Sequence, residues 1–183
     1  TAPNNLSLDM YLAPQTGETA VPDSNGFICR WTLLDPISKP LFTNALFTDS
    51  YVRAAFDTLY FKDQKTIVPA DGQKVKVGKE KLSWHCYDSK NFNVKLFRFA
   101  TETDQRYYGV IFQAVTVVNF PEDMTVRLAV GSNSASQWWI DGEEALILSG
   151  DRRMVQDDGC SKRLKISAGP PVLRGFVING PGM

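Results

Sequence analysis

The chain has 183 residues, 43% of them hydrophobic and 11% aromatic, which is ample for one packed core. Its 20 basic and 20 acidic residues give a formal net charge of zero. That balance argues against a nucleic-acid binder, which shows a basic patch or stripe, and against electrostatic attachment to a membrane. No apolar run approaches the ~20 residues of a membrane span, so no membrane insertion is expected.

In chain order, residues 1–25 are rich in Pro, Asn, Thr and Gly and read as a linker or N-terminal extension. The opening TAPNNLSLDMYLAPQ lacks the basic segment and apolar core of a secretory signal. A start at Thr1 without Met suggests a processed fragment. Residues 26–183 read as a single β-sandwich module. GFICRWTLLDPI is an apolar strand with Phe27, Cys29 and Trp31 on one face, ended by Asp35-Pro36. Thr48–Tyr60 is the best helical segment: Thr48 or Asp49 can cap it, and Val52, Ala55, Phe56 and Leu59 recur at helical spacing. Phe61–Gly78 is a polar connection with short extended pieces. Lys81–Asp88 is a strand with Trp84 and Cys86 on one face and His85 and Tyr87 on the other.

From Phe92 the strand signal is dense. VKLFRFAT alternates, and Gly109–Phe120 is a long β-branched run turned by Pro121-Glu122-Asp123. Thr125–Val130, Gln137–Ile140, Ala145–Leu148, Lys162–Ile166 and Val172–Ile178 follow, separated by turn-forming residues. In the first of these, Val126, Leu128 and Val130 point one way and Thr125, Arg127 and Ala129 the other. Asp141-Gly142 fits a type I′ hairpin turn, whose two central positions need positive φ. Short strands recurring at roughly 8–12 residues predict an all-β fold, an antiparallel β-sandwich of jelly-roll type, with one short helix near the N-terminal third.

Catalytic chemistry finds little footing. Serine hydrolysis needs a base and a group that orients it; His85 is the one histidine, and no GxSxG elbow occurs. Cys86 and His85 are neighbours on a strand and face opposite ways. The carboxylates Glu143, Glu144, Asp157 and Asp158 lie beside turns, and nothing brings two of them across a cleft. Cys29, Cys86 and Cys160 are too scattered for a zinc site and odd in number; they read as small buried hydrophobes, with one disulfide among them left open. No cofactor is expected. Calcium needs only loop carboxylates and carbonyls, and Asp151, Asp157 and Asp158 share one loop, so it is the one metal left open.

The aromatic residues remain. A flat ring laid against the CH face of a sugar, with polar groups around it, is a binding platform. Trp84, Tyr87, Tyr107, Tyr108 and Trp138 could supply one, whereas Trp31, Trp84 and Trp139 read more readily as core. Trp138 and Trp139 alternate, so they face opposite sides of their strand.

The segment MTVRLAVGSNSASQWWIDGEEALILSGDRRMVQDDGCSKRLKISAGPPVLRGFVINGPG resembles the C-terminal half of a galactose-binding-like β-sandwich accessory domain of secreted bacterial glycan-degrading enzymes. In those domains an apolar strand and Gly-Ser-Asp/Asn-Asp lead into Trp-hydrophobic-Asn-Gly, a loop arginine, an acidic stretch and a final strand ending Asn-Gly. Upstream, GFICRWTLLDPI is similar to their Trp-x-hydrophobic-x-x-Pro opening, and the resemblance is strongest over Thr125–Gly180. It aligns Trp139 with the family's Trp, Asp141-Gly142 with its Asn-Gly, Arg152 or Arg153 with its Arg, and Asp157-Asp158 with its acidic pair. Ser-Ala-Ser after Gly131-Ser132-Asn133 lacks the second acid, and Ala168-Gly169-Pro170-Pro171 replaces Gly-aromatic-Asn.

What the resemblance implies is a non-catalytic carbohydrate-binding or substrate-positioning module of a larger secreted enzyme. A close variant of such modules accompanies acetylxylan-esterase-like domains in gut Bacteroidetes. Trp138, with Tyr87, Tyr107 or Tyr108, would be the stacking surface, joined by Arg152. Its partners would be a plant polysaccharide or oligosaccharide and the catalytic domain of the same parent chain, in an extracytoplasmic setting. The alternatives are a structural docking module that binds no sugar, and a part of an acetylxylan esterase with catalysis elsewhere in the parent. An exposed apolar patch in place of an aromatic platform would favour docking.

Overall fold

The run VIFQAVTV, Val110–Val117, forms the strand around which the sheet is built, and Val110 through Thr116 are all buried. Its side chains alternate between two separate cores. Ile111 and Val115 enter one, while Val110, Phe112 and Ala114 enter the other. A strand covered on both faces needs mainly apolar residues, which accounts for a sequence broken only by Gln113 and Thr116, both buried.

The computed structural model describes residues 19–39, 48–89, 94–106, 108–132, 134–150 and 156–179. Its first half contains β1 (Arg30–Leu34), β2 (Ile37–Ser38), α1 (Asp49–Asp57), β3 (Lys74–Val77), β4 (Glu80–Asp88) and α2 (Leu96–Glu102). The second half contains β5 (Val110–Val117), β6 (Met124–Val126), β7 (Ala129–Val130), β8 (Ser136–Ile140), β9 (Glu143–Leu148), β10 (Gly159–Cys160), β11 (Leu164–Ile166) and β12 (Val172–Asn179). Among the described residues the main sheet has eight strands in the order β3-β4-β1-β5-β12-β8-β9, with β2 also on β5. Every strand pairing is antiparallel, and the two small sheets β6–β11 and β7–β10 stand apart. The fold is therefore all-β and antiparallel, with an open main sheet. The chain is already attached at Ala20, which is buried and bridges Val118.

On one face, Leu34, Trp84, Trp139, Phe176 and Ile178 pack with Phe56 of α1. Thr48 caps that helix by accepting from the Tyr51 N–H at 3.3 Å, and Val52, Ala55 and Phe56 are buried. Leu59 was expected to continue the apolar stripe, but it is 65% exposed. The helix stops at Asp57 because Thr58 turns extended and its hydroxyl donates to the Ala54 carbonyl at 2.8 Å. Buried Gln64 secures the turn, donating to the Thr58 carbonyl at 2.7 Å and accepting from the Tyr60 N–H at 3.0 Å. Arg174 of β12 lies 4% exposed on this face and donates to the carbonyls of Gln64 (3.1 Å) and Ile67 (2.5 Å). Burial depresses its pKa to about 10, against an opposing pull from Asp63. It therefore remains charged at neutral pH.

On the other face, Trp31, Leu33, Tyr87, Phe112, Trp138 and Leu173 pack with Phe99 of α2. The sequence VKLFRFAT predicts a strand there, and the structure corrects this to a helix. A short apolar run fits either period. Here Thr103 closes the helix, its hydroxyl donating to the carbonyls of Phe99 (3.0 Å) and Ala100 (3.2 Å), both buried residues. Val130 of β7 and Leu128, in the break between β6 and β7, cover more of this core. The predicted alternation of Thr125–Val130 is present, with Val126, Leu128 and Val130 half-buried and Thr125, Arg127 and Ala129 exposed. The strand is split at Arg127-Leu128, so its two pieces pair with different partners.

Gly175 sits opposite Trp138 in the β12–β8 pairing, and a Cβ at that position would run into the indole ring atoms Cζ3, Cε3 and Cη2. A Cβ at Gly159 would meet only the end of the Leu148 side chain. Gly175→Ala should therefore cost about 1–3 kcal/mol, because a fixed buried ring cannot yield. Gly159→Ala should cost less, since a leucine can change rotamer. Urea denaturation of both variants checks this; equal losses would contradict the packing described.

Candidate functional site

The β8–β9 hairpin carries the aromatic pair. Asp141 and Gly142 have φ of 48° and 82°, the type I′ pattern. The Asp141 carboxylate also accepts from the Val172 N–H at 2.8 Å, which fixes the hairpin tip to β12. Trp138 and Trp139 face opposite sides of the sheet as alternation requires, and each side is a core. Trp139 meets Phe176 edge-on with centroids 5.0 Å apart.

The stacking surface expected from the sequence is taken up by packing. Trp138 is 9% exposed, donates its indole N–H to Ser136 Oγ at 2.9 Å, and meets Trp31 edge-on at 5.7 Å. Tyr87 is fully buried, edge-on to Phe99 at 6.4 Å. The structure thus brings Trp138 and Tyr87 into one cluster, but as interior residues with no open ring face. The reason is α2 together with the small sheets, which cover this side of the main sheet. Tyr108 is 45% exposed, with the Arg106 guanidinium 4.8 Å from its ring centre. Tyr107 and Arg152 lie outside the described residues, as does Asp151 of the loop left open for calcium. Among the described residues no three His, Cys, Asp or Glu side chains converge on a common point. No disulfide joins the cysteines: Cys29 and Cys86 are half-buried and Cys160 is exposed.

Sequence reasoning missed a His–Asp pair. Asp35, the residue that ends β1, is buried and directs Oδ1 to His85 Nε2 at 2.8 Å. Its Oδ2 accepts from the Ser83 N–H at 2.8 Å, and its own N–H donates to the Ser83 carbonyl. Burial alone would raise the Asp35 pKa. The hydrogen bonds from His85 and from the Ser83 backbone, with the His85 charge, outweigh that and hold it below the usual carboxylate range. His85 lies edge-on to Phe99 at 5.4 Å. Cys86 points to the other face, where its sulfur is 3.6 Å from Thr32 Oγ1. Asp35 and His85 lie 50 residues apart, so no local pattern could pair them. The pair does structural work: it ties the end of β1 to β4 beyond the last ladder partner, Leu34↔Trp84.

No protein-family model, curated protein or solved structure matches the chain. The family resemblance therefore rests on its sequence motifs alone.

Because the Asp35 pKa is lower folded than unfolded (about 3.9 in a free chain), its stabilisation is present above that value. It is lost as pH falls through the folded value. The stability advantage of the native chain over Asp35→Asn should be on the order of 1–3 kcal/mol near neutrality and shrink as the pH is lowered below about 4. Urea titrations along that series check it. An advantage that stays flat or grows in acid would contradict the pairing.

Proposed function

We propose that this chain is a non-catalytic module that works by docking against a protein partner, without a sugar-stacking platform. The observation that supports it is the burial of the large rings: Trp31, Trp84, Tyr87, Trp138 and Trp139 all lie within the two cores. Stacking on a sugar needs an open ring face. The exposed apolar side chains are mainly aliphatic instead, Val21, Leu59, Val68 and Met124 among them. A cleft of about 460 Å³ is lined by Ile37, Leu59, Tyr60, Val77 and Leu82 together with Ser38, Lys79 and Glu80. The motif resemblance over Thr125–Gly180 supports placing the partner as a catalytic domain of the same extracytoplasmic, glycan-degrading parent. It also supports reading the β6–β11 and β7–β10 sheets as the second layer of a galactose-binding-like jelly roll.

Glycan binding is the second reading, and Tyr108 favours it as the one large exposed aromatic ring among the described residues. Affinity electrophoresis against xylan, arabinoxylan, pectin, mannan and glucan separates the two. The docking reading predicts unretarded migration on all of them. Retardation that Tyr108→Ala removes, with the melting temperature unchanged, would replace it with the glycan reading.

A further inference from the structure

Deepening the docking reading, and resting on it, we propose that the outer edge of β3 accepts an extended segment of the partner as an added strand, one whose residues alternate acidic and apolar. β3 ends the main sheet, paired only with β4. A hydrogen-bonded bulge starts the ladder: Gly72 N–H donates to the Trp84 carbonyl and Trp84 N–H to the Gln73 carbonyl. Antiparallel alternation then places the N–H and C=O groups of Val75 and Val77 in the ladder and those of Lys74 and Lys76 on the free edge. The hairpin closes through Gly78, with φ 60° at the first central position of a two-residue turn.

The two faces beside that edge differ in chemistry. Val75 and Val77 are half-buried and pack against the core that contains Phe56 of α1. On the opposite face, Lys74 and Lys76 lie with Lys81, and Lys76 is directly across from Lys81. All three are exposed, and no ion pair among the described residues engages them. Like charges directly opposite one another destabilise a ribbon, and carboxylates on a strand added beside β3 would offset the charge of Lys74 and Lys76. Strand addition supplies main-chain hydrogen bonds, while alternate side chains supply specificity. An added strand would set every second residue on the face of Val75 and Val77 and the others on the face of the lysines. The lysines also exclude a second copy of this chain: KVKV against KVKV would stack like charges, a usual defence of edge strands. The occupant that fits is therefore a different, acidic strand.

The probe is a fluorescently labelled peptide alternating Glu and Val, about eight residues long, an ordinary strand length. Fluorescence anisotropy should show binding that weakens as salt rises from about 0.05 M to about 0.5 M. Replacing its Glu by Lys should abolish binding. Lys74→Glu with Lys76→Glu should weaken it at least about tenfold through like-charge repulsion. Lys76→Pro should do the same with little change in melting temperature, because the lost N–H faces off the edge and not into the ladder. Lys76→Glu alone should raise the melting temperature by pairing with Lys81. Absence of binding at millimolar peptide overturns the proposal. So does binding indifferent to Lys76→Pro, or equal lysine-dependent binding of inorganic polyphosphate, since either would mark a simple polyanion site. These failures leave the docking reading intact while the glycan panel stays negative; a Tyr108-dependent glycan signal removes that reading whatever the peptide does.

Discussion

The close approach of the Trp138 indole to the backbone of Gly175 is the contact on which the interior depends. Glycine has no Cβ, so a strand that packs on both faces can seat a large ring directly against its main chain. Trp31 then closes on that ring edge-on, and Tyr87, Phe112 and Phe99 complete the same core. One residue earlier, Arg174 points to the opposite face and fastens the Gln64–Ile67 turn through two backbone carbonyls. β12 thus organises both sides of the sheet from two consecutive positions, one without a side chain and one with a buried charge. Arg174 remains protonated in that site because its guanidinium meets fixed carbonyl dipoles, which replace part of the lost hydration.

Much of this was legible locally. The Asp141-Gly142 turn follows from the φ requirement of a type I′ hairpin, and the residues on either side are paired as that turn demands, Ile140 opposite Glu143. Thr48 capping α1, the opposite facing of Trp138 and Trp139, and the alternation through Val130 are likewise short-range consequences of residue chemistry. What was not legible depends on distant partners. The helix at Leu96–Glu102 has the same short apolar pattern as a strand, and only its packing on the second core decides. Leu59 falls off the helical stripe because Gln64 and the Thr58 hydroxyl end α1 early. The burial of Trp138 depends on a glycine in another strand, and the Asp35–His85 pair on two strands meeting.

Those distant contacts also decide how the surface is read. A tandem tryptophan beside a hairpin tip looks like a platform when only its own strand is considered. Once β12 and β1 lie against it, both rings are structural. Chemical interest moves outward, to positions where packing leaves something unmet: backbone groups at the free edge of β3 and like-charged lysines facing each other. Such features suit contact with another polypeptide better than contact with a neutral sugar.

Thermal and urea denaturation of Trp138→Ala, followed alongside migration on the glycan panel, tests the assignment of this ring to the core most directly. The account predicts a loss of about 3–5 kcal/mol, the cost of deleting a large buried aromatic side chain, with no change in migration on any polysaccharide. A variant with native stability that loses retardation on a glycan would contradict it, and would return Trp138 to the surface as a binding residue.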